Sequence, residues 1–225
     1  MINYLAIQNT YQQVEFAVCK NGSIIDSVSI PKILASKSII TSLSTLLSKN
    51  NLSLHDLSCI GVNQGPGPFT TLRVIIATVN GLAYATQIPI IGIDALEAIV
   101  QEHKQKNYPL VALLNAFNND VYYAICNEHG AIVQKNYGNI DVVLQLIDQL
   151  LPTQQIIFTG NAIPLFSEQI HQRFGKRLSI LDADTCSLSQ IARMTFDSWQ
   201  SNSGISKSIN PLYLKQNHYK KIIKQ

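Results

Sequence analysis

Gly65-Pro66-Gly67-Pro68, with Thr70 and Arg73 close behind, is where residue types and spacing in this sequence come nearest to ligand chemistry. A short apolar strand carrying Ile60 and Val62 runs into the loop, and a long helix follows it. The start of a helix exposes unpaired N–H groups and attracts anions. Thr70 is placed to cap this one, its hydroxyl accepting from the first turn. Pro66 and Pro68, however, have no N–H to give, which removes two donors from any phosphate cradle. No Gly-Lys-Ser/Thr follows, and the nearest base is Arg73, one turn into the helix. The loop is neither a Walker A sequence nor a G-x-G-x-x-G fingerprint. Gly65, Pro66, Gly67 and Thr70 are therefore read as structural, forming a stiff turn that sets the angle of the following helix.

Other constellations offer less. The five histidines, at 55, 103, 129, 171 and 218, lack the H-x-x-x-H and H-E-x-x-H spacings of a metal site. There is no G-x-S-x-G elbow. Cys19, Cys59, Cys126 and Cys186 are far apart, with no C-x-x-C, and the first three lie in apolar strand-like surroundings. Free cysteines in such settings behave as small hydrophobes, which suits a reducing compartment. Asp94 with Glu97 has the spacing of an N-cap pair, and Asp120 opens a strand. All three carboxylates are read as structural. The sequence thus gives no catalytic, cofactor-binding or metal-binding residue.

The elements around these residues follow from periodicity. The segments Tyr4–Gln8, Val14–Cys19 and Ile24–Ile30 read as strands, with Asn21-Gly22 as a hairpin turn between the last two. Pro31 sits near the start of a helix whose stripe is Ile39, Ile40, Leu43, Leu46 and Leu47. The strand Ile60–Asn63, the helix from Thr71 to Gln87, the strand Ile88–Ile93 and a helix from Asp94 to His103 complete the first half. In the helix after the loop, Leu72, Ile75, Ile76, Val79 and Leu82 face a core. Ala77, Gly81 and Ala85 form a small-residue stripe. Glycine inside a helix costs roughly 1 kcal/mol relative to alanine, so Gly81 implies close approach of another backbone. That neighbour is either an internal element or a helix of another subunit, and spacing alone favours the internal one.

The second half repeats the order. Strands at 110–115, 121–127 and 131–135 are followed by a helix over 140–151, a strand at 155–159, a helix to Phe174, a strand at 177–181 and a last helix at 187–201. A βββαβαβα unit used twice predicts an α/β protein of two lobes, each a mixed sheet with flanking helices, as in the actin-like ATPase and sugar-kinase (ASKHA) superfamily. The lobes are expected at 1–104 and 105–209, with a basic tail at 210–225.

Composition fits this arrangement. The 225 residues are 46% hydrophobic and 14% charged, enough apolar surface for a sizeable core. The formal charge is +3, but four lysines (215, 220, 221, 224) lie in the last eleven residues. Without them the rest carries −1, and no run in the body reads as a basic nucleic-acid face. The tail is ordinarily a solvated end; its functional reading is contact with RNA or an acidic partner. The N-terminus lacks a signal-peptide pattern, and no stretch nears the ~20 apolar residues of a membrane span. A soluble, cytoplasmic protein is expected.

Active members of the superfamily end the first strand of each lobe near a carboxylate that holds a metal or orients a phosphate. Here those strands end Ile7-Gln8-Asn9-Thr10 and Leu114-Asn115. An amide is neutral and does not anchor Mg²⁺ as a carboxylate does. Both amides are read as strand-end caps.

Gly65-Pro66-Gly67-Pro68-Phe69-Thr70-Thr71-Leu72-Arg73 closely resembles the GPGSFTGLR loop of the TsaB family of tRNA threonylcarbamoyladenosine biosynthesis. The flanks agree, with Asn80-Gly81-Leu82-Ala83, Ile88-Pro89, and Gly92 followed by Leu96-Glu97-Ala98. Asn115-Ala116 with Val121-Tyr122 is similar to the family's D-A-R-x-x-E-V-Y segment, and Asn210–Lys215 to its P-x-Y-L-R ending. The likeness spans nearly the whole chain. Departures mark a divergent member: Pro68 for the loop Ser, Thr71 for the loop Gly, Gln8-Asn9-Thr10 for D-T-S/A, Ala35 for His, and Asn115 and Phe117 for Asp and Arg.

The resemblance implies a non-catalytic scaffold with an actin-like fold and no working nucleotide site. Such proteins pair with the related catalytic subunit TsaD through first-lobe helices and also self-associate, and the ATPase TsaE joins them. Together they transfer threonylcarbamoyl from an adenylate to the adenosine beside the anticodon of ANN-decoding tRNAs. On this chain the implied partner interface is Arg73, Ala77, Gly81 and Ala85, with Ile39 and Leu43 beside them; tRNA is met indirectly or through the basic tail. The competing reading is an enzyme, either an actin-like nucleotide-binding phosphotransferase or a glycoprotease-like metalloenzyme. The missing carboxylates and histidine pairs count against both. A third reading is a homodimer serving some other partner.

Overall fold

The computed structural model describes residues 1–215. Lys220, Lys221 and Lys224, three of the four tail lysines, lie outside them. The first half forms β1 (Asn3–Asn9), β2 (Gln13–Lys20), β3 (Ser23–Pro31), α1 (Ala35–Lys49), β4 (Cys59–Gly65), α2 (Phe69–Thr86), β5 (Ile90–Asp94) and α3 (Ala95–His103). The second forms β6 (Leu110–Asn115), β7 (Asp120–Cys126), β8 (Ile132–Asn139), α4 (Ile140–Leu150), β9 (Ile156–Thr159), α5 (Ser167–Phe174), β10 (Leu178–Ile180), α6 (Leu188–Gln200) and β11 (Ile205–Ser206).

The repeat is explicit in the sheets. The first has the order β11-β5-β4-β1-β2-β3 and the second β10-β9-β6-β7-β8. In each, three meandering strands are antiparallel and two more add in parallel through crossover helices. Both copies even carry a register shift at the matching place, Val18/Cys19 and Ile125/Cys126. This is the α/β architecture of two mixed sheets with flanking helices expected of an actin-like fold.

Period-two alternation sends successive side chains to opposite faces, and β1 shows where they go. Leu5 and Ile7 join the core beneath α1 and α2. Tyr4 and Ala6 join a second core that holds α3 and α6 between the two sheets. A third core lies between the second sheet and α4 and α5. The Tyr4 hydroxyl donates to the Ala192 carbonyl of α6 at 3.0 Å.

The path of α6 departs from a division at residue 104. Although it follows the second sheet in the chain, α6 packs on β1, β4 and β5, and β11 then pairs with β5. Gly61 makes this possible: a Cβ there would stand 1.8 Å from Thr195 Oγ1, so only glycine admits the helix. By contact, α6 lies against the first sheet and β11 extends it.

Other boundaries shift for local reasons. At the β2–β3 hairpin, Asn21 and Gly22 both take positive φ (48° and 89°), as a two-residue turn of this hand requires. On α1, Ile39, Leu43, Leu46 and Leu47 are buried, but Ile40 is 57% exposed, so it is not part of the core stripe. α2 begins at Phe69 with Pro68 at its N-cap and no capping side chain. Thr70 thus lies inside the first turn, exposed, and does not cap the helix.

Candidate functional site

Two regions gather the residues singled out by sequence. One is the strand-end region between the lobes. Gln8 is fully buried, and Asn9 and Asn63 nearly so. Gln8 Oε1 accepts from Asn63 Nδ2 at 2.6 Å and from the Asn9 backbone N–H at 3.1 Å. Gln8 Nε2 donates to the Cys186 carbonyl at 2.6 Å and lies 3.2 Å from its Sγ. Asn63 Oδ1 in turn accepts the Gly65 N–H at 2.8 Å. Gln8 is therefore not a strand-end cap but the centre of a buried amide network. A neutral amide both donates and accepts, so it satisfies all these groups without the desolvation cost of a carboxylate. Among the described residues, the Asn9 Oδ1 atom is buried without a partner.

Asn115, the equivalent strand end in the second lobe, is also committed internally. Its N–H donates to Asn161 Oδ1 at 2.9 Å, its Oδ1 accepts the Phe117 N–H at 2.8 Å, and its carbonyl accepts the Tyr11 hydroxyl at 2.6 Å. No group of three His, Cys, Asp or Glu side chains is placed to hold a metal among the described residues.

The second region is the outer face of α2. Leu72, Ile75, Ile76, Val79 and Ala83 are buried, while Arg73, Ala77, Gly81 and Ala85 are exposed on the other side. A Cβ added at Gly81 would meet nothing within 4 Å. Among the described residues, no internal element packs on the small-residue stripe, contrary to what spacing alone favoured. Tyr84, 83% exposed, stands beside it. Between α1 and α2 runs an apolar groove of about 360 Å³ lined by Ile40, Leu43, Leu47, Leu52, Leu54 and Leu82. Ile39 is 4% exposed and lies in the core, so its side chain is not on this surface; Leu43, at 3%, forms the floor of the groove.

The Gly-Pro loop connects the two regions. Gly65 takes φ +105°, and a Cβ there would press on Leu72 Cδ2 at 2.8 Å and the Leu212 carbonyl at 3.2 Å. The Gly65–Pro66 peptide is cis. A C-terminal segment then lies along the loop and α2. Gln64 Nε2 donates to the Asn210 carbonyl at 2.6 Å, and its own carbonyl accepts the Leu212 N–H at 2.8 Å. Asn80 pairs with Ile209 twice, at 2.8 and 2.9 Å. Arg73 Nε donates to the Tyr213 hydroxyl at 2.8 Å, with its guanidinium 3.9 Å above the Phe69 ring. Sequence reasoning singled out neither Asn80 nor Tyr213 individually, because their partners are 129 and 140 residues away.

The carboxylates read as structural are placed accordingly. Asp94 caps α3, accepting from the Leu96 and Glu97 N–H groups at 2.8 and 3.2 Å. Lys135 bonds both Asp94 and Glu97, at 2.7 and 2.6 Å. Burial by itself would lower the Lys135 pKa, but these two bonds outweigh it and raise it. Lys215, the first tail lysine, is paired with Asp120 at 2.7 Å. No helix among the described residues is long and apolar enough to cross a membrane.

Comparison with known proteins adds to this geometry. The sequence matches the family described as "TsaD: tRNA N6-adenosine threonylcarbamoyltransferase" over residues 30–210. It is 26% identical over 122 residues to the tRNA threonylcarbamoyladenosine biosynthesis protein TsaB of Escherichia coli (strain K12), covering 53% of each chain. The match thus spans about half the length of that relative. In structure it is similar to YeaZ from Pseudomonas aeruginosa, with a TM-score of 0.71 and 18% identity over 95% of this chain and 100% of that one. The inorganic polyphosphate/ATP-glucomannokinase of Arthrobacter sp. strain KM shares the fold at a TM-score of 0.51 and 12% identity, over 88% and 100% of the chains.

Proposed function

The chain belongs to the tRNA N6-adenosine threonylcarbamoyltransferase (TsaD) family as a divergent, TsaB-like member, and we propose that it is a non-catalytic activating subunit of the machinery that attaches threonylcarbamoyl to tRNA. In this reading it docks on a TsaD-type catalytic subunit through α2, with the edge of α1 beside it. A TsaE-type ATPase joins through the assembly, and the modified base is the adenosine next to the anticodon of ANN-decoding tRNAs.

The observation that carries the proposal is the bare stripe on α2. Ala77, Gly81 and Ala85 are exposed, and Gly81 faces open space. A helical glycine that no internal neighbour requires is a cost of roughly 1 kcal/mol to the isolated chain. A partner backbone approaching closely would offset that cost. The groove beside it, with Ile40 on its rim, offers apolar area to the same partner. Arg73 contributes by holding Phe69 and Tyr213 at the N-terminal end of the face.

The non-catalytic part of the proposal rests on the strand ends. Gln8 and Asn115 spend their side-chain amides on internal hydrogen bonds where a phosphotransferase of this fold would present carboxylates. The test of docking is complex formation with the catalytic subunit, followed by analytical ultracentrifugation. Ala77→Arg should abolish the mixed complex while leaving the circular dichroism and thermal unfolding of the chain unchanged. A complex that survives Ala77→Arg at wild-type affinity rules out α2 as the docking face.

A further inference from the structure

We propose that the turn between β6 and β7, residues 116–120, is a lock that fixes the two lobes in one relative arrangement. Two separate segments close on it. From the first lobe, the turn between β1 and β2 delivers Tyr11. That turn is shaped by Thr10, whose Oγ1 accepts the Gln12 and Gln13 N–H groups at 3.2 and 3.0 Å. Tyr11 then reaches across to donate to the Asn115 carbonyl at 2.6 Å, with its ring 6.5 Å from that of Phe117. From the C-terminal segment, Lys215 Nζ pairs with Asp120 Oδ2 at 2.7 Å and donates to the Ala116 carbonyl at 3.2 Å. The same C-terminal segment is itself fastened to the first sheet through Asn80 and Gln64. Deeper in, Gln8 of β1 bonds the Cys186 carbonyl.

The turn is built at a cost. Phe117, Asn118 and Asn119 take φ of 61°, 56° and 60° in succession. Asparagine tolerates the left-handed region, but a bulky residue such as phenylalanine is strained there. The Asn115 Oδ1 bond to the Phe117 N–H holds that conformation, and it aims the Phe117 ring at Tyr11. Such strain persists only where surrounding contacts over-determine it. Bonds within the second lobe hold the turn's shape, and Tyr11 and Lys215 dock on it from elsewhere in the chain, which is why the turn acts as a lock rather than as a free hairpin.

Cys186 reports on the lock from inside. It is 2% exposed beside Gln8, and burial pushes its thiol up to about 12. Alkylation therefore requires the packing of Cys186 against Gln8 to open. The other three cysteines are buried at the far ends of the strands, where Cys19 and Cys59 flank Tyr4 and Cys126 faces Leu110. The experiment is mass-resolved N-ethylmaleimide labelling of the full chain under native conditions, comparing wild type with Tyr11→Phe and with Tyr11→Phe/Lys215→Met. Tyr11→Phe keeps the ring and removes only the hydroxyl, so folding is preserved. Each lost bond should raise the Cys186 rate roughly fivefold, on the scale of one hydrogen bond or partly buried ion pair. Cys19, Cys59 and Cys126 should keep their wild-type rates. An unchanged Cys186 rate, or equal acceleration of all four thiols, overturns the lock.

Discussion

Gly81 separates a structural from an interfacial role for α2 in a single residue. Gly81→Ala places a methyl group where nothing lies within 4 Å. It should therefore relieve the helix-propensity cost with no steric penalty, stabilising the isolated chain by about 0.5–1 kcal/mol. For a domain of this size that raises the melting temperature by roughly 1–4 °C. Gly81→Leu gains comparable helix propensity. In the docked complex the order reverses. A leucine driven into a close backbone contact costs about 1–3 kcal/mol in overpacking, which weakens the complex roughly fivefold to 150-fold. The assay pairs urea unfolding of the free chain with isothermal titration of each variant into the catalytic subunit. A destabilised Gly81→Ala chain would mean that an internal neighbour needs the glycine. A Gly81→Leu variant that binds normally would mean that no partner does.

Other outcomes follow from the same structure. Gly61→Ala, whose Cβ would meet Thr195 Oγ1 at 1.8 Å, should push α6 off the first sheet and destabilise the fold by about 3 kcal/mol or more in urea unfolding. Asn80→Ala removes two hydrogen bonds to Ile209, worth about 2 kcal/mol together; faster hydrogen exchange over residues 205–213, with α4 and α5 unchanged, is the expected reading. The raised pKa of Lys135 means its folded form holds the proton more tightly than the unfolded chain does. Its contribution is therefore fully present below the unfolded value near 10.4 and is lost as pH rises through the folded value. Urea midpoints measured from pH 8 to 12 should fall less steeply in Lys135→Met than in wild type.

Much of this architecture was legible because it is local. Strand alternation, the Asn21-Gly22 turn and the 3.6-residue stripe of α2 each depend on neighbours within a few positions, and the doubled element order followed from them. The position of the Gly-Pro loop was legible for the same reason. Its cap was not: Thr70 has the right chemistry, but the helix begins two residues earlier than expected, at Phe69 after Pro68. What escaped the sequence depends on pairs far apart in the chain. The return of α6 to the first sheet hangs on Gly61 meeting Thr195, and the C-terminal segment on Asn80 meeting Ile209. Gln8 looked like a strand-end cap because its partner at Cys186 lies 178 residues on. Ile40 looked like core because periodicity cannot tell the edge of a stripe from its centre, whereas the structure leaves it 57% exposed.

The amides at Gln8 and Asn115 and the open face at Gly81 point the same way. Gln8 and Asn115 are engaged in the chain's own bonds, and the docking surface proposed above is a helix. The measurement that tests this most directly is threonylcarbamoyl transfer to an ANN-decoding tRNA by a TsaD-type subunit and its ATPase, with this chain added, omitted, or replaced by Gly81→Leu. Transfer that depends on the wild-type chain and is lost with Gly81→Leu is the predicted result. Transfer that proceeds equally without the chain, or equally well with Gly81→Leu, contradicts the account.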